Sequence, residues 1–141
     1  LDTGAQVVHL APNTNSFIDT KSISKNGGIA VYRGLVEFSE DAKNSKNTTS
    51  CESLMLDEDS RSDTIPTIRL KNSEVDVGHE AKIGKISDQV IFYLMTRGLS
   101  EEDAKQLVVR GFAEPVAKEL PMEYAVEMNN LINLELVGSI G

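Results

Sequence analysis

Residues 47–85 read NTTSCESLMLDEDSRSDTIPTIRLKNSEVDVGHEAKIGK, and this stretch decides the fold. In Glu74-Val75-Asp76-Val77, apolar and acidic residues alternate, and Ile68-Arg69-Leu70 does the same. A period of two puts one set of side chains on a buried face and the other in water, so both runs are strands. Turn formers, Asp57 to Ser60 and Lys71-Asn72-Ser73, separate them. The pattern continues upstream. Strand-like runs at 6–10, 16–23, 29–32, 34–38, 47–56, 64–70 and 74–80 alternate with Pro12-Asn13, Asn26-Gly27-Gly28 and Asp41 to Asn44. The starts fall 5 to 17 residues apart, and short strands at such spacing suit sandwiches, barrels and solenoids alike. Asn26-Gly27 lies in a five-residue gap, so no pair of runs is joined by a two-residue Asn-Gly or Asp-Gly hairpin. Ser, Thr and Asn are abundant inside the strands, and stacked parallel coils tolerate them because like side chains form ladders along the stack. These features favour a parallel β-helix over a sandwich, which stays open as the alternative.

At Ser87 the period changes. Ser87-Asp88 caps a helix whose apolar stripe is Val90, Ile91, Leu94 and Met95, closed by Gly98. Ser100-Glu101-Glu102-Asp103 is a capping-box pattern, with Ala104, Leu107 and Val108 as the buried face and Arg110-Gly111 as the end. A short helix is expected over 115–120, and Pro121 opens the last one, running towards Leu136. The expected organisation is therefore a β part over 1–86 and a helical part over 87–141. Phe92, Met95, Leu107, Phe112, Met122 and Tyr124 are candidates for a partner-facing surface. The competing expectation is that they simply pack the helices together.

Composition narrows the classes. The chain has 141 residues, 40% hydrophobic and 26% charged, enough for one folded core. No apolar run approaches ~20 residues, and the N-terminus shows no signal-peptide pattern. A start without Met predicts a piece of a longer chain. Net charge is −8, with both parts acidic, so no basic stripe exists for nucleic acid. One cysteine cannot form an internal disulfide, which fits a reducing compartment and hence the cytoplasm.

The chemistry-bearing residues are Cys51 and the pair His79-Glu80, twenty-eight residues downstream. A thiol, an imidazole and a carboxylate hold soft metal ions or accept sulfur. Under period two, Cys51 shares a polar face with Thr49 and Ser53. His79 continues the buried face of Val75 and Val77, unless Gly78 marks a bulge that resets it. A structural role competes for both, and His9, after Val7-Val8, is read as structural. G-x-S-x-G, H-E-x-x-H, C-x-x-C and P-loop patterns are absent, so no enzymatic activity is expected.

Asp2-Thr3-Gly4, Ala11-Pro12-Asn13-Thr14, Tyr32-Arg33-Gly34-Leu35-Val36, Cys51-Glu52-Ser53-Leu54 and His79-Glu80-Ala81 form a further set of signals. Together they resemble the SufB/SufD family of iron–sulfur cluster assembly proteins. The resemblance is densest from Arg97-Gly98-Leu99-Ser100 through Gly111-Phe112 to Leu120-Pro121-Met122-Glu123-Tyr124. The cysteine with the His-Glu pair resembles SufB-type rather than SufD-type members. This resemblance implies a right-handed parallel β-helix followed by a C-terminal helical domain. It also implies a scaffold that receives sulfur and builds a nascent cluster with SufD and the ABC-type ATPase SufC. Cys51 matches the sulfur-accepting, cluster-associated cysteine, and Glu80 and His79 match positions implicated in holding cluster or iron. The helical tail looks like the part that docks on SufC, and the strands around Cys51 to His79 like the surface that pairs with SufD. Relatives carry a longer N-terminal region with further cysteines, so the cluster is expected to be transient and not held by this stretch alone. Its terminal coils could pair with a second copy instead. A metal-free adaptor of the same ATPase complex is the competing expectation, and a carbohydrate-active β-helix is disfavoured by the lack of Trp.

Overall fold

A computed structural model of the chain describes residues 1–137. It divides into two compact units, Leu1–Lys85 and a helical unit from Ile86 onward. The first holds six strands: β1 (Asp2–His9), β2 (Asn15–Ser24), β3 (Ile29–Phe38), β4 (Ser45–Met55), β5 (Arg61–Leu70) and β6 (Val75–Lys85). They form two parallel sheets ordered β1-β3-β5 and β2-β4-β6. Successive strands therefore alternate between sheets, and each coil lays one strand in each. This is a β-helix with a repeat near 31 residues, as Thr20↔Cys51 and Ile18↔Thr49 show. The two runs read as 29–32 and 34–38 are one strand, because Arg33 keeps its place in the ladder between Gly4 and Ile65.

The corners repeat with the coil. Asn13 and Asn44, 31 residues apart, both take positive φ (59° and 55°), a conformation asparagine tolerates better than most residues. Polar ladders run between coils as well. Ser22 Oγ donates to Ser53 Oγ at 2.8 Å and Asn47 Nδ2 to Ser16 Oγ at 2.9 Å. The apolar core gathers Ile18, Val36, Phe38 and Ala42, with Val7, Tyr32, Val75 and Val77 packed against it.

The helical unit holds α1 (Asp88–Thr96), α2 (Glu101–Glu119) and α3 (Met122–Val137). Ser87 and Ser100 cap the first two, accepting from Val90 N and Asp103 N. Gly98, at φ 96°, ends the first. The second corrects two expectations. Gly111 does not end it, and the helix expected over 115–120 is its last part. Pro115 cannot donate to the carbonyl of residue 111, and that residue is a glycine, whose backbone adjusts most easily to the proline ring. The helix stops at Leu120, which the following Pro121 holds extended (φ −86°, ψ 147°). Its buried residues are Ala104, Val109 and Ala113, whereas Leu107 is half exposed. Over nineteen residues the buried face is chosen by what both α1 and α3 cover, rather than by the first two turns alone. Arg110 ties α2 to α3 by donating to Asn133 Oδ1.

Candidate functional site

The interior of the coil is built by alternation. On β4, Ser45, Asn47, Thr49 and Cys51 all point inward and are buried, Cys51 being 4% exposed. The register is one-for-one across Gly78, with Thr48↔Gly78 and Thr49↔His79, so no bulge resets β6. His79 therefore faces inward beside Thr49. Cys51 lies between Thr20 and Ala81 in the next inward column. Thiol and imidazole thus occupy the same interior face on adjacent strands, and strand geometry sets their Cα atoms roughly 8 Å apart. His79 Nε2 is buried and has no hydrogen-bond partner. A small cavity between the sheets is lined by Gly34, Val36, Asn47, Thr49, Ile68 and His79, among others.

Glu80 lies elsewhere. It pairs in register with Ser50 on the outer face, its side chain is 64% exposed, and Lys82 Nζ stands 3.2 Å from it. Within one chain the sheet thus lies between the Glu80 carboxylate and the Cys51 thiol. Among the described residues, no group of three or more His, Cys, Asp or Glu side chains is placed to hold a metal. Outside, Glu52 accepts from Lys21 and faces Lys82 at 3.9 Å. The hydrogen bond from Lys21 holds its carboxyl below the usual range, against the opposing effect of burial.

A polar column leads to the same interior. His9 stacks on Phe38, with centroids 4.3 Å apart. Its Nδ1 meets Thr14 Oγ1 at 2.6 Å and its Nε2 meets Ser16 Oγ at 2.8 Å. Ser16 accepts from Asn47, and Asn47 Oδ1 accepts from Thr49 at 3.0 Å. Burial pushes the His9 imidazole below its ordinary value of 6.5, so it is neutral. His9 is thus a satisfied core residue.

Sequence reading did not single out Tyr32, Asn47 or Thr49. The signal was available: Tyr32, Gly34, Val36 and Phe38 share the inward phase of β3, as Asn47 and Thr49 share that of Cys51. Burial, and after it the Cys51 sulfur, raises the Tyr32 phenol above 10.0. In the helical unit, Phe92, Met122 and Tyr124 are more than two-thirds exposed. Met95 and Leu107 are about half exposed, and Phe112 is partly buried. No helix among the described residues is long and apolar enough to cross a membrane.

Comparison with known proteins bears on this arrangement. Residues 1–112 match the family model described as SUF system FeS cluster assembly, SufBD core domain. Proteins named iron–sulfur cluster assembly SufBD family protein, from Staphylococcus aureus strains USA300 and N315, are 54% identical over 140 residues. That alignment takes in 99% of this chain and 30% of theirs. The relative from Staphylococcus haemolyticus matches equally, at 54%. The chain thus spans about a third of the length of these relatives. With a family model over most of its length and this identity throughout, the chain belongs to the SufBD family of iron–sulfur cluster assembly proteins.

Proposed function

We propose that the chain is part of a SufB-type scaffold on which sulfur is received and a nascent iron–sulfur cluster is assembled as cargo. The observation that carries this reading is the placement of Cys51 and an unpartnered His79 imidazole on one interior face. Sulfur receipt is a balanced exchange. The Cys51 thiolate attacks the outer sulfur of a donor persulfide, the new S–S bond forms as the donor's breaks, and the donor leaves as thiolate. Two ligands of this kind hold a cluster more loosely than four cysteines, which suits a protein that hands it on. Upstream residues of the longer chain would complete the ligand set. The role is assembly rather than catalysis, and its setting the cytoplasm.

β5 and β6 end their sheets with unpaired edges among the described strands, and Ile65, Ile68, Leu70 and Ile83 are exposed there. Such an edge supports pairing with a SufD-type partner, or with a second copy. The exposed Phe92, Met122 and Tyr124 support docking of the helical unit on a SufC-type ATPase. Because Cys51 is buried, its use requires the last coil to open, and ATP-driven movement of the tails supplies that opening.

The test is anaerobic reconstitution of the full-length chain with iron and sulfide, followed by visible absorption for wild type and Cys51→Ser. A cluster spectrum lost in the variant supports the scaffold. An identical spectrum in both refutes Cys51 as a ligand. One observation favours a second reading, a metal-free adaptor: Glu80 sits on the face opposite Cys51, paired with Lys82. Under that reading Cys51→Ser leaves cluster delivery by the complex unchanged.

A further inference from the structure

Tyr32 Oη, Thr64 Oγ1 and His79 Nε2 are buried atoms without a hydrogen-bond partner. Native interiors pair such groups unless something absent from the resting protein fills the gap. Tyr32 and Thr64 are register partners on β3 and β5. The Tyr32 ring does not point straight across the core. It folds along its own strand over Gly34, where an added Cβ would stand 3.1 Å from Cε1 and 3.2 Å from Oη. Gly34 thus provides the seat for the phenol. Gly34 also lines the cavity that Asn47, Thr49 and His79 line from the facing sheet, and Cys51 follows Thr49 by two residues on the same inward face. Because β3 and β4 are consecutive strands of one coil that face each other across this cavity, Tyr32 and Cys51 each lie one inward position beyond Gly34 and Thr49, while Tyr32 Oη has no hydrogen-bond partner. A persulfide lengthens the cysteine by one S–S bond, about 2 Å.

We propose that the Tyr32 hydroxyl is the hydrogen-bond donor that seats the outer sulfur of a persulfide on Cys51. The proposal rests on the sulfur-accepting reading of Cys51 given above. A hydroxyl idle towards the thiol becomes a charge-assisted donor once the sulfane sulfur, which carries the negative charge, arrives. Tyr32 is then a positioning residue that favours the loaded state over the empty one. Gly34 serves it by leaving room for the ring.

The experiment uses the full-length protein, equilibrated anaerobically with a low-molecular-weight alkyl persulfide and its thiol. Cys51-bound sulfane sulfur is quantified by alkylation and mass spectrometry in wild type, Tyr32→Phe and Cys51→Ser. The readout is the equilibrium constant for sulfur exchange, which access to the buried site does not alter. The alkylation rate of unloaded Cys51 is the control. Tyr32→Phe is expected to lower the exchange constant about tenfold, with unloaded Cys51 reacting within about twofold of wild type. An unchanged exchange constant overturns the proposal and would leave an ordered water as the partner of Oη. Equal changes in exchange and in thiol reactivity also overturn it, since a general loosening of the core moves both. If wild type itself takes up no sulfane sulfur at Cys51, the sulfur-accepting reading fails first and the proposal falls with it.

Discussion

Replacing Asn47 tests whether the polar column or the apolar core holds the middle coil together. Its amide is buried, donates to Ser16 Oγ at 2.9 Å and accepts from Thr49 Oγ1 at 3.0 Å. Asn47→Ala removes both bonds, each worth about 1 kcal/mol net. Ser16 keeps its contact with His9 Nε2, so only the Thr49 hydroxyl loses its acceptor. Stranding that hydroxyl costs about 1–3 kcal/mol more, for a total of about 3–5 kcal/mol. Thr49→Val should cost about 2–4 kcal/mol, since it leaves Asn47 Oδ1 unmet. The double variant should fall short of the sum by about 3 kcal/mol or more, because it breaks the shared bond only once and strands neither partner. Native-state hydrogen exchange of the full-length protein, read at β4 and β6, gives the opening free energy of this coil without assuming that the whole chain unfolds at once. A cost below ~1 kcal/mol for Asn47→Ala, or strictly additive costs, would refute the reasoning.

Three further outcomes follow from the geometry. Because burial lowers His9, its folded value lies below 6.5, and its contribution is complete above that pH and lost as pH falls through the window beneath it. The thermal midpoint of His9→Gln should accordingly change less than that of wild type between about pH 7.5 and about pH 5.5. Gly4→Ala would set a Cβ 2.3 Å from the Arg33 carbonyl oxygen, so the first coil should lose its protection from hydrogen exchange at β1 while α2 keeps its own. Gly111→Ala meets nothing within 4 Å, and calorimetry should find the helical unit more stable by about 0.5–1 kcal/mol; a loss of stability would refute this and show that the ring of Pro115 uses the freedom of that glycine.

Much of this architecture was legible because a coil repeats its constraints. Alternation in Glu74-Val75-Asp76-Val77 gave β6 its inward phase, and with it the position of His79. The turn residues Asn13 and Asn44 marked the same corner twice. The helix starts were equally plain, since Ser87 and Ser100 act through local bonds to Val90 and Asp103. Nonlocal matters were harder. Gly111 reads as a stop from its neighbours alone, but tertiary packing of α2 carries the helix past it. His79 and Glu80 are adjacent in sequence, yet a strand sends neighbours to opposite faces, so the two side chains leave β6 on opposite sides. The inward phase of Tyr32 was readable from alternation, but its functional meaning depends on which strand faces it across the core. That depends on a coil length no local pattern reveals.

The 31-residue offset also constrains how such a chain can change. An insertion of one residue within a strand would exchange interior for exterior side chains along the rest of it, and an insertion of two would slide its inward columns against their neighbours. Adding or removing a full coil leaves each column aligned with the next. Evolutionary lengthening of the β-helix is therefore quantised, with whole coils as the unit. Cys51 and His79 sit on adjacent strands of one sheet, so a whole coil can be added on either side of the pair, but not between them, without parting the two side chains.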